Sequence, residues 1–208
     1  MAGRGSKGQA NQAGATTGRR RQILQAALAC FEALGYEAST IEDIRRRSRA
    51  SIGSIYHHFG GKAGIASALY AEGLADYQAG LLARMRRARG ARTLIKAVVR
   101  HHIDWAEANP AWARYLMETR RLEAVAAIEV RLREINQAFV REAITLIRPH
   151  MDRGEIAPLR LEILLALLFG PAQEFLRLRF AGRTDLGLRQ ARELLARAAW
   201  KSVQPDGG

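Results

Sequence analysis

Apolar residues return at steps of three and four along most of this chain, the spacing of one face of a helix. Leu24, Ala27, Leu28, Phe31 and Leu34 make one such stripe within residues 19–36, and Gly35 stands where a left-handed cap ends a helix. Two short helices are predicted next. Thr40 caps the first, with Asp43 three residues on as in a capping box and with Ile41 and Ile44 as the buried face. Ser51 caps the second, which runs through Ile55 and Tyr56 to Phe59 before the Gly60-Gly61 break. Two short helices about three residues apart, behind a longer one, make a helix-turn-helix.

The same periodicity continues to the end of the chain. It predicts helices from Lys62 to about Arg87, from about Ala91 to Ala108, and from Pro110 to about Arg120. Others follow from about Val125 to Asp152, over Leu159–Ala181, and over Asp185–Val203. Asn109-Pro110 stops one helix and starts the next, while Pro149 is expected to bend or end its helix. No run alternates with a period of two, so the fold class is all-α. The domains expected are a flexible basic tail (1–17), a small helix-turn-helix domain (18–64, motif about 40–59) and a larger helical body (65–208).

Composition sharpens this only in part. The net charge is +13, with 33 Lys and Arg against 20 Asp and Glu. Such a surplus favours a polyanionic partner. Only Lys7, Lys62, Lys96 and Lys201 are lysines, so an arginine bias of the genome accounts for part of it. Cys30 is the single cysteine and sits on an apolar helix face, which excludes an intrachain disulfide and a Cys-based metal site. Residues 1–18 lack the apolar segment of a secretory signal. The most apolar run, Ile163 to Ala172, is too short to span a bilayer. No membrane partner and a cytoplasmic location are therefore expected.

The stretch TIEDIRRRSRASIGSIYHHFGGK, Thr40 to Lys62, resembles the signature of the TetR (tetracycline-repressor-like) family. Ala27 and Phe31 lead to Gly35-Tyr36, Thr40 precedes Asp43-Ile44, and Ser51, Gly53, Tyr56, His57, Phe59 and Lys62 follow at the family's spacing. The likeness covers about residues 19–70. It implies a dimeric, sequence-specific DNA-binding transcriptional regulator, a repressor, controlled by a small-molecule effector and reading an inverted-repeat operator in double-stranded DNA. No cofactor, metal or catalytic site is implied. The residues assigned to DNA are Thr40, Arg45, Ser51, Ile52, Gly53, Ser54, Tyr56, His57 and Lys62. A recognition helix offers its first residues to base edges, and small residues there let the backbone approach the duplex. The hydroxyls, His57 and Lys62 suit phosphate oxygens.

Three positions depart from the family's pattern. Arg45 stands where a small residue is usual, Arg49 where Gly occupies the tight turn, and Ile52 where Lys is frequent. If the turn needs a positive φ, Arg49 carries a conformational cost there.

In the body the family usually encloses an effector pocket. Trp105, Trp112, Tyr115, Met117, Phe139, Phe169 and Phe175 are the candidate lining, against the alternative of an ordinary filled core. The run Leu161 to Phe169 is apolar nearly all round, and Leu188, Ala191, Leu195 and Ala198 form a stripe with small residues. Leu165 and Phe169 with that stripe are the expected dimer interface. Two other functions remain open. One is a helical-body enzyme using His101, Asp104 and Glu118 as acid-base groups, although no nucleophile or phosphate-loop motif accompanies them. His101 and Asp104 lack a third metal ligand. The other is a non-specific basic DNA-packaging protein, which leaves the large apolar body without a purpose.

Overall fold

The computed structural model describes residues 5–118 and 129–205. Among them are nine helices and no strand: α1 (Gly5–Leu34), α2 (Ile41–Ser48), α3 (Ile52–Phe59), α4 (Lys62–Arg87), α5 (Ala91–Ala108), α6 (Pro110–Glu118), α7 (Glu129–Asp152), α8 (Leu161–Phe180) and α9 (Leu188–Val203). The all-α expectation holds. The expected helix start near Val125, the helix end near Arg120 and the first residues of the tail lie outside the described residues.

One difference from the expected helices has a physical cause. Helix α1 begins at Gly5, so residues 5–17 are helical rather than a flexible tail. Once the amphipathic part is formed, each added residue gains a hydrogen bond without a new nucleation cost, and Ala10, Gln12 and Ala13 are good helix formers. Pro149 and Pro171 both lie inside helices, α7 and α8, without ending them.

The chain divides into two compact units. The first runs to Gly73 and includes the stretch from Arg114, while the second holds Leu74–Ala113 and the chain from Val130 onward. In the first, Ile23, Leu24, Ala27, Leu28 and Phe31 of α1 are buried together with Ile44, Ile55, Ile65 and Leu69. Cys30 is buried with them, and burial pushes its thiol pKa up, as suits a packing residue rather than a reactive one. Tyr115 completes this core. Its ring stacks on Phe31 at 5.9 Å and its hydroxyl donates to the Ala66 carbonyl at 2.8 Å.

In the second unit, Leu81, Met85, Ile95, Val99, Ile103, Ile147, Leu164, Leu168 and Val203 form one apolar cluster drawn from α4, α5, α7, α8 and α9. Polar clamps tie its rim. Asp104 accepts from Arg84 at 2.7 Å and from Arg192 at 2.8 Å, and Arg100 meets Glu193 at 2.6 Å. Helix α4 passes close to α5 at Gly80, where a Cβ would come within 2.7 Å of the His101 ring.

Candidate nucleic-acid interface

The chain between α1 and α2 is held by three local devices. Gly35 has φ 80°, and its N–H donates to the Phe31 carbonyl at 2.9 Å, which closes α1 as the sequence predicts. The buried Ser39 hydroxyl contacts the Cys30 and Gly35 carbonyls at 3.1 and 2.7 Å. The Lys62 ammonium then donates to the carbonyls of Tyr36, Glu37 and Ser39 at 3.0, 3.1 and 3.0 Å. An ammonium has three protons, and all three are spent here. In the free protein Lys62 is therefore engaged by the fold.

Helix α2 starts from a complete capping box. The Asp43 amide donates to Thr40 Oγ1 at 3.1 Å, and the Thr40 amide donates to Asp43 Oδ2 at 3.0 Å. The Thr40 hydroxyl donates to the same carboxylate oxygen at 2.6 Å. These bonds, with Arg46, hold the Asp43 carboxyl below its usual pKa. Arg45 grips Glu42 through two hydrogen bonds of 2.7 and 2.6 Å, so its charge is matched within its own helix. Arg45, expected at DNA, is thus paired in the free protein.

The turn to α3 carries the one positive-φ residue other than glycine among the described residues, Arg49 at φ 54°, ψ 24°. A left-handed conformation costs a non-glycine residue roughly 1 kcal/mol. The turn is fixed on both sides by Ser48, whose hydroxyl accepts from the Ala50 amide at 3.2 Å, and by buried Ala50.

Helix α3 is anchored by Ile55, fully buried, with Phe59 half-buried under the Arg20 guanidinium. Its other side faces outward. Ser51 accepts from the Ser54 amide at 3.1 Å as N-cap, which leaves its own proton free to donate. Ile52 is 49% exposed and Tyr56 52%, and Gly53 and His57 are also exposed. Gly53 is the informative one. It has helical backbone angles, and a Cβ built on it meets nothing within 4 Å. Gly at a helix position costs roughly 0.5–1 kcal/mol relative to Ala. Among the described residues no contact requires that cost. Gly64, at the start of α4, is the opposite case, because its Cβ would lie 1.7 Å from the Phe59 carbonyl oxygen.

Residues 23–69 match the family profile "Bacterial regulatory proteins, tetR family". Over this stretch the chain is similar to the tetR family. A curated relative, HTH-type transcriptional regulator BetI 1 of Chromohalobacter salexigens, is 35% identical over 94 residues, 44% of this chain. The match spans 46% of that relative, so the chain aligns with less than half of its length. Among solved structures, a TetR family transcription regulator from Marinobacter aquaeolei superposes with a TM-score of 0.74 at 17% identity. It covers 94% of this chain and 100% of that one. FadR from Bacillus subtilis, solved in complex with stearoyl-CoA, superposes with a TM-score of 0.74 at 18% identity, over 88% and 99% of the two chains. At such identities the superpositions show a shared fold alone.

The expected body residues scatter. Tyr115 belongs to the core of the first unit, as described above, and Met117 is exposed. Trp105 donates to Asp76 at 2.8 Å and packs with Phe175 around Ala106, Ala113 and Leu176. Trp112 is half-buried on α6. Only Phe139 and Phe169 line the apolar cleft between α4, α5, α7 and α8, with Leu81, Met85, Val98 and Leu165. This cleft is narrow, with about 30 Å³ free to a water-sized sphere.

Beside it lies a polar trio that periodicity alone did not reveal. Tyr77 Oη is 2.9 Å from His102 Nδ1, and His101 Nε2 is 2.9 Å from the Tyr77 carbonyl. Burial drives the Tyr77 pKa up, so the phenol keeps its proton and donates it to His102. Burial, with His101 beside it, lowers the His102 pKa to about 4, so the ring is neutral with its proton on Nε2. Among the described residues that buried N–H has no partner. The His102 ring packs edge-on against Phe169 at 5.4 Å, and Phe169 lines the cleft. His101 and Asp104 are engaged by the Tyr77 carbonyl and by two arginines, and Glu118 is exposed at the end of α6.

The stripe expected at a dimer interface faces largely inward. Ala191 is 1% exposed, and Leu188 and Leu195 pack on the chain's own core. Leu165 and Phe169 line the cleft. The outward apolar positions are Ile163 (48%) and Ala166 on α8, with Leu194 (44%) and Ala198 on α9. Of the expected stripe, Ala198 is exposed in the single chain, whereas Leu188, Ala191 and Leu195 are partly or fully buried. A helix apolar nearly all round gives periodicity no way to tell the two faces apart.

Proposed function

We propose that the protein is a dimeric, sequence-specific DNA-binding transcriptional repressor whose DNA affinity is set by a small-molecule effector. The observation that carries this reading is the outer face of α3. Ser51, Ile52, Gly53, Ser54, Tyr56 and His57 start the helix, and Gly53 accepts a stability cost that no internal contact explains. A glycine there opens room for a duplex backbone, Ile52 suits a thymine methyl, and Tyr56 and His57 bring polar tips to phosphates. A footprint on DNA from the protein's own genome tests it. Protection of a discrete inverted repeat is the expected result. Uniform coverage would instead mark a packaging protein, and no protection would end the DNA reading.

The effector in this reading is an apolar chain bearing a hydrogen-bond acceptor such as a carbonyl. The all-carbon cleft supports the chain, and the unpartnered His102 N–H supports the acceptor. The stearoyl-CoA held by the structurally similar FadR fits this chemistry. The cleft is too narrow for such a chain, so binding must part the helices around it. Leu81 and Met85 of the cleft lie on α4, the helix that also supplies Ile65 and Leu69 to the core of the first unit. A coupling of about 1–3 kcal/mol through α4 would lower DNA affinity roughly 5- to 150-fold.

A further inference from the structure

Four arginines follow one another closely at the end of α2 and in the turn after it, and the structure divides them into two pairs. Arg45 and Arg46 are each bound to a carboxylate of their own helix, Glu42 and Asp43. Arg47 and Arg49 make no ion pair among the described residues, and both are exposed. With Ser48 they form one wall of a shallow notch of about 360 Å³ whose other wall is Gln22, Gln25 and Ala26 of α1. Two guanidiniums with no ion pair among the described residues, that of Arg47 lying beside the Cys30 thiol, therefore meet two amides at one concave spot.

Arg49 holds this place at a cost. Its φ of 54° is a conformation that glycine adopts freely and arginine does not. The residue stands two positions before Ser51, the cap of α3, so its Cα is at most ~7 Å along the chain from the helix offered to the groove. An arginine fork matches phosphate geometry and reaches beyond its own backbone.

We infer that Arg49 and Arg47, with Gln22 and Gln25, form a phosphodiester site that grips the DNA backbone beside the groove read by α3. This rests on the DNA-binding reading above. The strained backbone at Arg49 is then kept for the sake of its side chain. Neutralising one phosphate contributes close to one unit to the slope of log affinity against log salt, whatever the base sequence.

The test uses the full-length protein and a mixed-sequence duplex, titrated across a range of salt. Arg49→Gly should lower the salt slope by about 0.9 and the affinity at ~0.1 M salt about eightfold. The same change should raise the thermal midpoint by a few degrees, because the turn relaxes. Arg49→Asn, which tolerates the left-handed region, should show the same slope loss with an almost unchanged midpoint. Arg47→Ala should also reduce the slope. Replacing a merely structural arginine would not raise stability while lowering duplex affinity. If Arg49→Gly and Arg49→Asn both keep the wild-type slope, the site is overturned while DNA binding stands. If the wild type itself ignores the duplex at low salt, both readings fall together. Competition by inorganic phosphate at concentrations matched in ionic strength with chloride separates the sources. Equal competition by the two salts is expected for a site shaped to the duplex backbone. Selective competition by phosphate would mark a free-anion site instead and overturn the assignment.

Discussion

The ammonium of Lys62 donates to the carbonyl of Tyr36 at 3.0 Å and lies 4.5 Å from the centre of that residue's own ring. One charge thus caps the chain leaving α1 and packs on its aromatic flank. Lys62→Met keeps the apolar stem and removes the protons, leaving three carbonyls without their donor. Hydrogen bonds to a charged group are worth about 1.5–3 kcal/mol each in a buried setting, and this one is partly exposed. We expect a loss of about 2 kcal/mol in urea unfolding and an unchanged salt slope on mixed-sequence DNA. A slope lower by a full unit, with stability intact, would restore Lys62 to the phosphate backbone.

Two glycines, Gly53 in the first turn of α3 and Gly64 in the first turn of α4, should respond oppositely to the same methyl group. Gly53→Ala adds a Cβ to open space and should stabilise the protein by roughly 0.5–1 kcal/mol. It should weaken operator binding, because the methyl stands where the duplex must approach. Gly64→Ala drives a Cβ into the Phe59 carbonyl and should cost at least 1–3 kcal/mol, as overpacking does. Melting curves of the two variants beside a binding titration check both. Full operator affinity in the Gly53→Ala variant would remove Gly53 from the interface.

How much of this was legible in the sequence differs between the two parts of the chain. In the first unit the capping residues Thr40 and Ser51, the Gly35 cap and the buried Ile44 and Ile55 follow directly from spacing, because each role is local. Gly64 and Ser39 were missed, since their partners, Phe59 and the Cys30 carbonyl, are set by tertiary packing. A glycine three residues into a helix and a serine just before a capping threonine were the available signals. Lys62 was placed on the right element, but its contacts to the carbonyls of Tyr36, Glu37 and Ser39 were not legible, because sequence shows a charge but not where it turns. In the body, the helices among the described residues were legible and their buried faces were not. Tyr115 and Ala191 illustrate this, as both were assigned to sites and both are core.

Acid should loosen the body through His102. Its pKa of about 4 lies below the ordinary 6.5, so the folded state refuses a proton that the unfolded state accepts. The stability this neutral ring contributes is fully present above about pH 6.5 and is lost as pH falls toward 4, to a total of up to about 3 kcal/mol. His102→Gln cannot take up that proton and should flatten the decline of the urea midpoint over this window. His101, also shifted down by burial, leaves a residual slope in the variant. Identical profiles for variant and wild type would show that His102 is solvated.

The dimer can be tested by placing a charge on adjacent residues of one helix. Leu194 is 44% exposed on α9, whereas Leu195 beside it packs on the chain's own core. If α8 and α9 meet a second copy through Ile163, Ala166, Leu194 and Ala198, then Leu194→Glu buries an unpaired carboxylate only in the dimer. That variant should sediment as a folded monomer with wild-type helicity. Its operator affinity should drop sharply, because the two readers no longer share one effective concentration. Leu195→Glu places the same charge against the apolar cluster of a single chain, so it should lower the unfolding midpoint and helicity before association is in question. The contrast separates lost association from lost folding, which either variant alone would confound. A Leu194→Glu protein that remains dimeric at micromolar concentration would move the interface to another face.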